Sequence, residues 1–165
     1  MTGWYVVNTL PHQETRAETN LLRQGYRAWL PSIKRSRRHA RRILTILAPL
    51  FPGYLFVELD LEQEAWSPIN GTFGVRRLLC NDNRPAPVPA DFMKALRQAE
   101  ENGVMAPPES GLKPGQRVRL IAGPFVDHVG TLVHLAARDR VALLLRVLGQ
   151  EISTVVPRRM VAPVY

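Results

Sequence analysis

A change of composition at Gly103 divides this chain. The segment that follows carries Pro107, Pro108 and Pro114 with Gly111 and few large apolar residues, and no helix or strand continues through prolines so spaced. The sequence therefore predicts two small units, residues 1–102 and 113–165, joined by a linker at 103–112. Before the boundary, strand and helix patterns alternate. Trp4–Leu10 is β-branched and aromatic and stops at Pro11, which predicts a strand. From His12 to Gln24 the apolar positions Ala17, Leu21 and Leu22 form a stripe, and Gly25 supplies the stop of a helix. Pro52-Gly53 then turns into a strand in which Tyr54, Phe56 and Glu58 alternate with Leu55, Val57 and Leu59. Both sets are largely apolar, so a cover is required on each face: the second set is core, and the aromatic set either lies under a helix or forms an exposed docking patch. Val75–Cys80 adds a strand, Pro85–Pro89 a rigid connector, and a helix opens at Pro89 or Asp91 and runs to about Asn102. Past the boundary the pattern is strand after strand, at Gln116–Ala122, Val129–Leu135, Val141–Leu148 and Glu151–Val156. Spacings that short predict a small antiparallel barrel. The fold class is α+β.

Charge is the second constraint. Lysine and arginine outnumber aspartate and glutamate by 22 to 14, giving +8, and a polyanionic partner is the first expectation. Six of the nine residues from Lys34 to Arg42 are basic, namely Lys34, Arg35, Arg37, Arg38, Arg41 and Arg42, and none is acidic. Apolar runs flank them at Trp29–Ile33 and Ile43–Leu47, which puts the cations on a loop carried by two strands, either solvated or set against phosphates. On the first helix Arg16, Arg23 and Gln24 recur with Asn20 away from the apolar stripe. That face is either plain solvent surface or a contact for phosphates and base edges.

Catalytic chemistry finds no foothold. Neither a phosphate loop ending in Gly-Lys-Ser/Thr nor a Gly-x-Gly-x-x-Gly is present. The four histidines lack metal-pair spacing, and Cys80 is the only cysteine and reads as an inert thiol. A binding protein without catalytic residues, metal or cofactor is expected. The longest apolar stretch, near Ile43–Phe51, is interrupted by Thr45 and Pro49 and falls short of the roughly 20 residues of a membrane span. With no basic segment ahead of the first strand, a cytoplasmic chain without membrane contact is expected.

Taken in order, several blocks resemble the NusG family of bacterial transcription elongation factors, including its specialised RfaH-type antitermination paralogues. They are Trp4-Tyr5-Val6-Val7, Pro49–Val57, Trp66, Gly74-Val75 and Arg84–Val88, then Gly115–Arg119, Ile121–Phe125 and Gly130, the last three similar to the KOW module. The resemblance implies an NGN-type α/β sandwich with a central antiparallel sheet, followed by a small SH3-like β-barrel. It implies a monomer whose first domain binds RNA polymerase, with Tyr54, Phe56, Trp66 and Leu79 matching the apolar docking patch, and whose arginine-rich loop lies near the DNA of the transcription bubble. The second domain would recruit a small-subunit ribosomal protein or Rho through Phe125, unless that ring caps the barrel core. Ala65–Pro68 lacks the threonine run of RfaH-like proteins, and Ala48 stands where they can carry an acid pairing the two domains. Autoinhibition by domain closure is therefore not expected. A ribosome-associated or RNA-binding KOW protein is the competing reading.

Overall fold

The computed structural model describes residues 1–105, 118–119, 132, 135–150 and 160–161. Four strands make the main sheet: β1 (Thr2–Thr9), β2 (Arg27–Trp29), β5 (Tyr54–Asp60) and β6 (Val75–Leu78), in the order β2-β5-β1-β6. Every pairing is antiparallel, with Val6 opposite Phe56 and Val7 opposite both Leu55 and Leu78. This register turns the alternation of β5 into two cores. Tyr5, Val7, Leu55, Val57 and Leu59 face Ala17 and Leu21 of α1 (Glu14–Arg23), whereas Val6 and Phe56 face α2 (Ala90–Gln98) through Phe92, Met93 and Leu96. Burying each such side chain is worth about 1.5–3 kcal/mol, so both layers are needed. Leu22, read as part of the α1 stripe, is half exposed.

Glycines fix two corners. Gly53 has φ +86° in a turn where the Tyr54 N–H donates to the Phe51 carbonyl at 3.0 Å, the type II geometry that Pro-Gly favours. At Gly74, φ is +87° and a Cβ would meet the Ala17 nitrogen at 2.8 Å, so only glycine lets this loop close on α1. The Pro85–Pro89 connector hydrogen bonds back to β1 through Val88 N–H and the Trp4 carbonyl, 2.8 Å. Short pairs complete the first unit: β7 (Cys80–Asn81) with β8 (Arg84–Pro85), and β9 (Glu100–Glu101) with β10 (Val104–Met105). Asn102 and Gly103, at φ 52° and 78°, make the tight turn between β9 and β10. Residues 103–105, expected as linker, therefore belong to a hairpin, and Met105 is buried in the core.

The second region departs from expectation. Val118–Arg119 (β11) does form a strand, paired in parallel with Met160–Val161 (β12), but Ala137–Val147 is a helix, α3, where a strand at Val141–Leu148 was expected. The antiparallel barrel finds no support among the described residues. An all-apolar run such as Val141–Leu145 satisfies a buried strand or a buried helix equally, and here the available partner decides. Leu143, Leu144 and Leu148 complete the core against Trp29, Phe51 and Phe56.

Candidate functional site

Tyr54, Phe56 and Leu79 share one face of the sheet, and Trp66 packs with the opposite core. The expected single exposed patch is thus split in two. It is also covered: Phe56 is fully buried, 5.6 Å from the Trp29 ring and 5.8 Å from Phe51, and Leu79 is buried. Tyr54 is half-buried, and desolvation raises its pKa against the opposing influence of Arg77 and Arg76. Trp66, also half-buried, lines an open depression with Asn70, Arg77 and Asp82.

The cover is α3. Its Arg140 is buried and donates from Nε to the Leu50 carbonyl at 2.6 Å and from an Nη to the Leu135 carbonyl. Burial first, and Arg35 of the neighbouring hairpin second, depress the arginine's pKa, so this cation opposes the docking that the leucines favour. At the far end, Asn81 Nδ2 donates to the Leu148 carbonyl at 3.0 Å, and Gln150 Nε2 donates to Asn81 Oδ1 at 2.6 Å. Closure over the aromatic face, not expected with Ala48 in place of an acid, is present by other means. The arginine finds a main-chain carbonyl two residues beyond Ala48. Sequence reading misses Arg140 because 136–140 resembles a turn.

Cations occupy a separate surface. Strands β3 (Ser32–His39) and β4 (Arg42–Pro49) pair along their whole length as a ribbon outside the main sheet. The ribbon is anchored at its base, where the Leu50 N–H donates to the Pro31 carbonyl at 2.8 Å and Ile33 packs on the core. Lys34, Arg35, Arg37, Arg38, Arg41 and Arg42 are all exposed on it, but only Arg41 stands in the turn; the other five lie on the paired strands, which extend through the stretch expected as a loop. Arg16 and Arg23 on α1, and Gln24 just past its end, are exposed too. The Arg16 guanidinium lies over the ring of Phe73 at 5.3 Å, and Gln24 Nε2 donates to Thr72 Oγ1 at 2.8 Å. Phe73 is 71% exposed; a lone aromatic ahead of Gly74 gives no sequence signal of a surface role. Phe125 lies outside the described residues. Among those residues, no group of three or more His, Cys, Asp or Glu could hold a metal ion, and no helix is long and apolar enough to cross a membrane.

Comparison with known proteins decides the family. The model of the family described as transcription termination factor nusG matches residues 2–97, the sheet, the ribbon and both covering helices of the first unit. The chain belongs to the NusG family. It is 28% identical to the transcription termination/antitermination protein NusG of Thermus thermophilus over 169 residues, covering 90% of this chain and 91% of that one. It is likewise 28% identical to the protein of the same name from Deinococcus radiodurans over 176 residues, covering 90% and 92%. A solved structure titled "Domain interaction in Thermotoga maritima NusG" matches at 26% identity, covering 77% and 76% of the two chains with a TM-score of 0.44.

Proposed function

We propose that this chain is a transcription elongation and antitermination factor that binds RNA polymerase through the aromatic sheet face of its first unit and thereby suppresses pausing or modulates termination. The observation that carries this reading is the α3 cover. A face built from Trp29, Phe51, Phe56 and Leu79 is closed by a helix that must bury an arginine to stay there, so it is a face whose cover is removable. Membership of the family and the names of the relatives support the transcriptional part.

In the docked form the face is unavailable, and polymerase binding requires α3 to leave. Released, the helix has 11 residues, below the roughly 12–15 at which an isolated helix becomes marginal. Residues 113–165 are then free to take the KOW barrel that the resemblance implies and to recruit a ribosomal protein or Rho through Phe125. The ribbon and the Arg16–Phe73 surface contact DNA beside the polymerase. The experiment is co-purification with RNA polymerase, together with pause mapping, for the parent and for Leu143→Glu/Leu144→Glu. The double variant should bind more polymerase and shorten pauses more. Equal or weaker binding, with the first unit still folded, means that the covered face is not the docking surface.

A further inference from the structure

The β3–β4 ribbon is more specialised than a solvated charge run. From Lys34 to Leu47 every residue is exposed except Ile46. Its register sets a cation opposite an aliphatic four times, with Lys34 across from Leu47, Arg35 from Ile46, Arg37 from Leu44 and Arg38 from Ile43. One edge of the ribbon is cationic and the other aliphatic, with Ile43 75% and Leu47 59% exposed. Leaving such side chains in water forgoes about 1.5–3 kcal/mol each. The tip is strained as well: Ala40 and Arg41 have φ 45° and 67°, positions that a tight hairpin gives to Asn-Gly and that cost other residues about 1–3 kcal/mol each. A tip optimised for folding alone would not carry an alanine and an arginine there.

Duplex DNA is the occupant whose chemistry meets both edges. Six cations without an acid between Lys34 and Arg42 complement a row of phosphates. Ile43, Leu44 and Leu47 carry no donor or acceptor for base edges, but isoleucine and leucine serve as wedges between base pairs entered from the minor groove. A two-stranded ribbon is wider than an undistorted minor groove, so it enters there only together with the unstacking and kinking that an apolar wedge produces, as other strand-based arms do. We propose that the ribbon is a minor-groove arm, its β3 arginines on the phosphates and Ile43 wedged at a base step beside Arg38, which bends the duplex. This rests on the reading of the ribbon as a DNA contact, and adds the groove, the wedge and the bend.

The test uses the full chain without polymerase, titrated into a duplex of about 30 bp labelled at both ends for energy transfer, since a duplex that short is stiff when free. The end-to-end distance should fall at saturation, by an amount matching a kink of about 20–90°, and netropsin, a minor-groove ligand, should displace the protein. Ile43→Ser should still bind, weaker by less than about tenfold, and leave the DNA straight. Arg37→Ala/Arg38→Ala/Arg41→Ala/Arg42→Ala should lose most binding. Both variants should melt as the parent does, because the altered side chains are exposed. A duplex bound without shortening, an Ile43→Ser that bends as the parent does, or binding indifferent to netropsin overturns the arm. Full binding by the fourfold variant overturns the DNA reading beneath it. Polymerase co-purification, scored separately, leaves the sheet-face proposal to its own test.

Discussion

The aromatic sheet face and the ribbon start from similar material and end in opposite states. Both are short antiparallel strands with large apolar side chains. On the sheet face, α2 and α3 cover Phe56 and Leu79 until almost no water reaches them; on the ribbon, Ile43 and Leu47 stay bare beside six cations. Charge makes the difference. A helix laid on the ribbon would have to bury those cations, at several kcal/mol each, whereas among the described residues the only buried cation is Arg140, beside the buried Asp139, and main-chain carbonyls receive it. Substitutions on the covered face should therefore act through stability, and those on the ribbon through ligands.

The largest effect should come from Phe56→Ala. The ring is fully buried between Trp29 and Phe51, so truncation should cost about 3–5 kcal/mol in denaturant unfolding. A loss below about 1 kcal/mol, the range of a surface site, would place Phe56 outside the core and erase the contrast between the two regions.

Next is the cover itself. Leu144→Ala removes a fully buried leucine from α3, and the loss of about 2–5 kcal/mol should fall on docking more than on the first unit. Amide exchange should then quicken in 137–147 while β1 and β5 keep their protection. Uniform quickening across sheet and helix would mean that α3 and the sheet unfold as one unit, with no separable cover.

What can be read from sequence follows the same division. The strands β1 and β5, the helix α1 and the Pro52-Gly53 turn are legible because each carries its own local signal: alternation, a helical stripe, or a turn pair. So is the exposure of the basic run, whose cations cannot be buried whatever surrounds them, although the run reads as a loop and is instead the paired strands of the ribbon. The helix α3 is not legible. Val141–Leu148 fits a strand or a helix, and the choice rests on Trp29, Phe51 and Phe56, more than 80 positions earlier in the chain. The Asn102-Gly103 turn reads as the start of a linker because glycine marks both. Nothing local separates Phe73, held beside Arg16, from any other loop phenylalanine.

On the ribbon the expected change is in binding alone. Replacing Arg37, Arg38, Arg41 and Arg42 by alanine should leave unfolding within about 0.5 kcal/mol per site. The slope of log affinity for DNA against log salt should flatten by about 0.9 for each phosphate that is no longer neutralised. A destabilised variant would show that these side chains have folded-state partners, and the ribbon would then resemble the sheet face after all.

The smallest effect should be one of pH, and it asks whether the α3 cover is felt at the edge of the aromatic face. Desolvation raises the Tyr54 pKa above its ordinary value near 10. A phenol whose folded pKa is raised lends stability that is complete below the unfolded value and is lost as pH rises through the folded one. The chain should therefore weaken in alkali, starting near pH 10. Tyr5 and Tyr26 are raised by the same cause, so the Tyr54 share is the difference between the parent and Tyr54→Phe, followed by unfolding at successive pH values. Tyr54 packs against the cluster that α3 completes. If α3 supplies the desolvation, Leu144→Ala should bring the Tyr54 titration back toward its ordinary value, read as tyrosinate absorbance against the Tyr54→Phe blank. A Tyr54 titration that ignores Leu144→Ala would assign its burial to the sheet and α2 alone, and would draw the limit of the cover short of that ring.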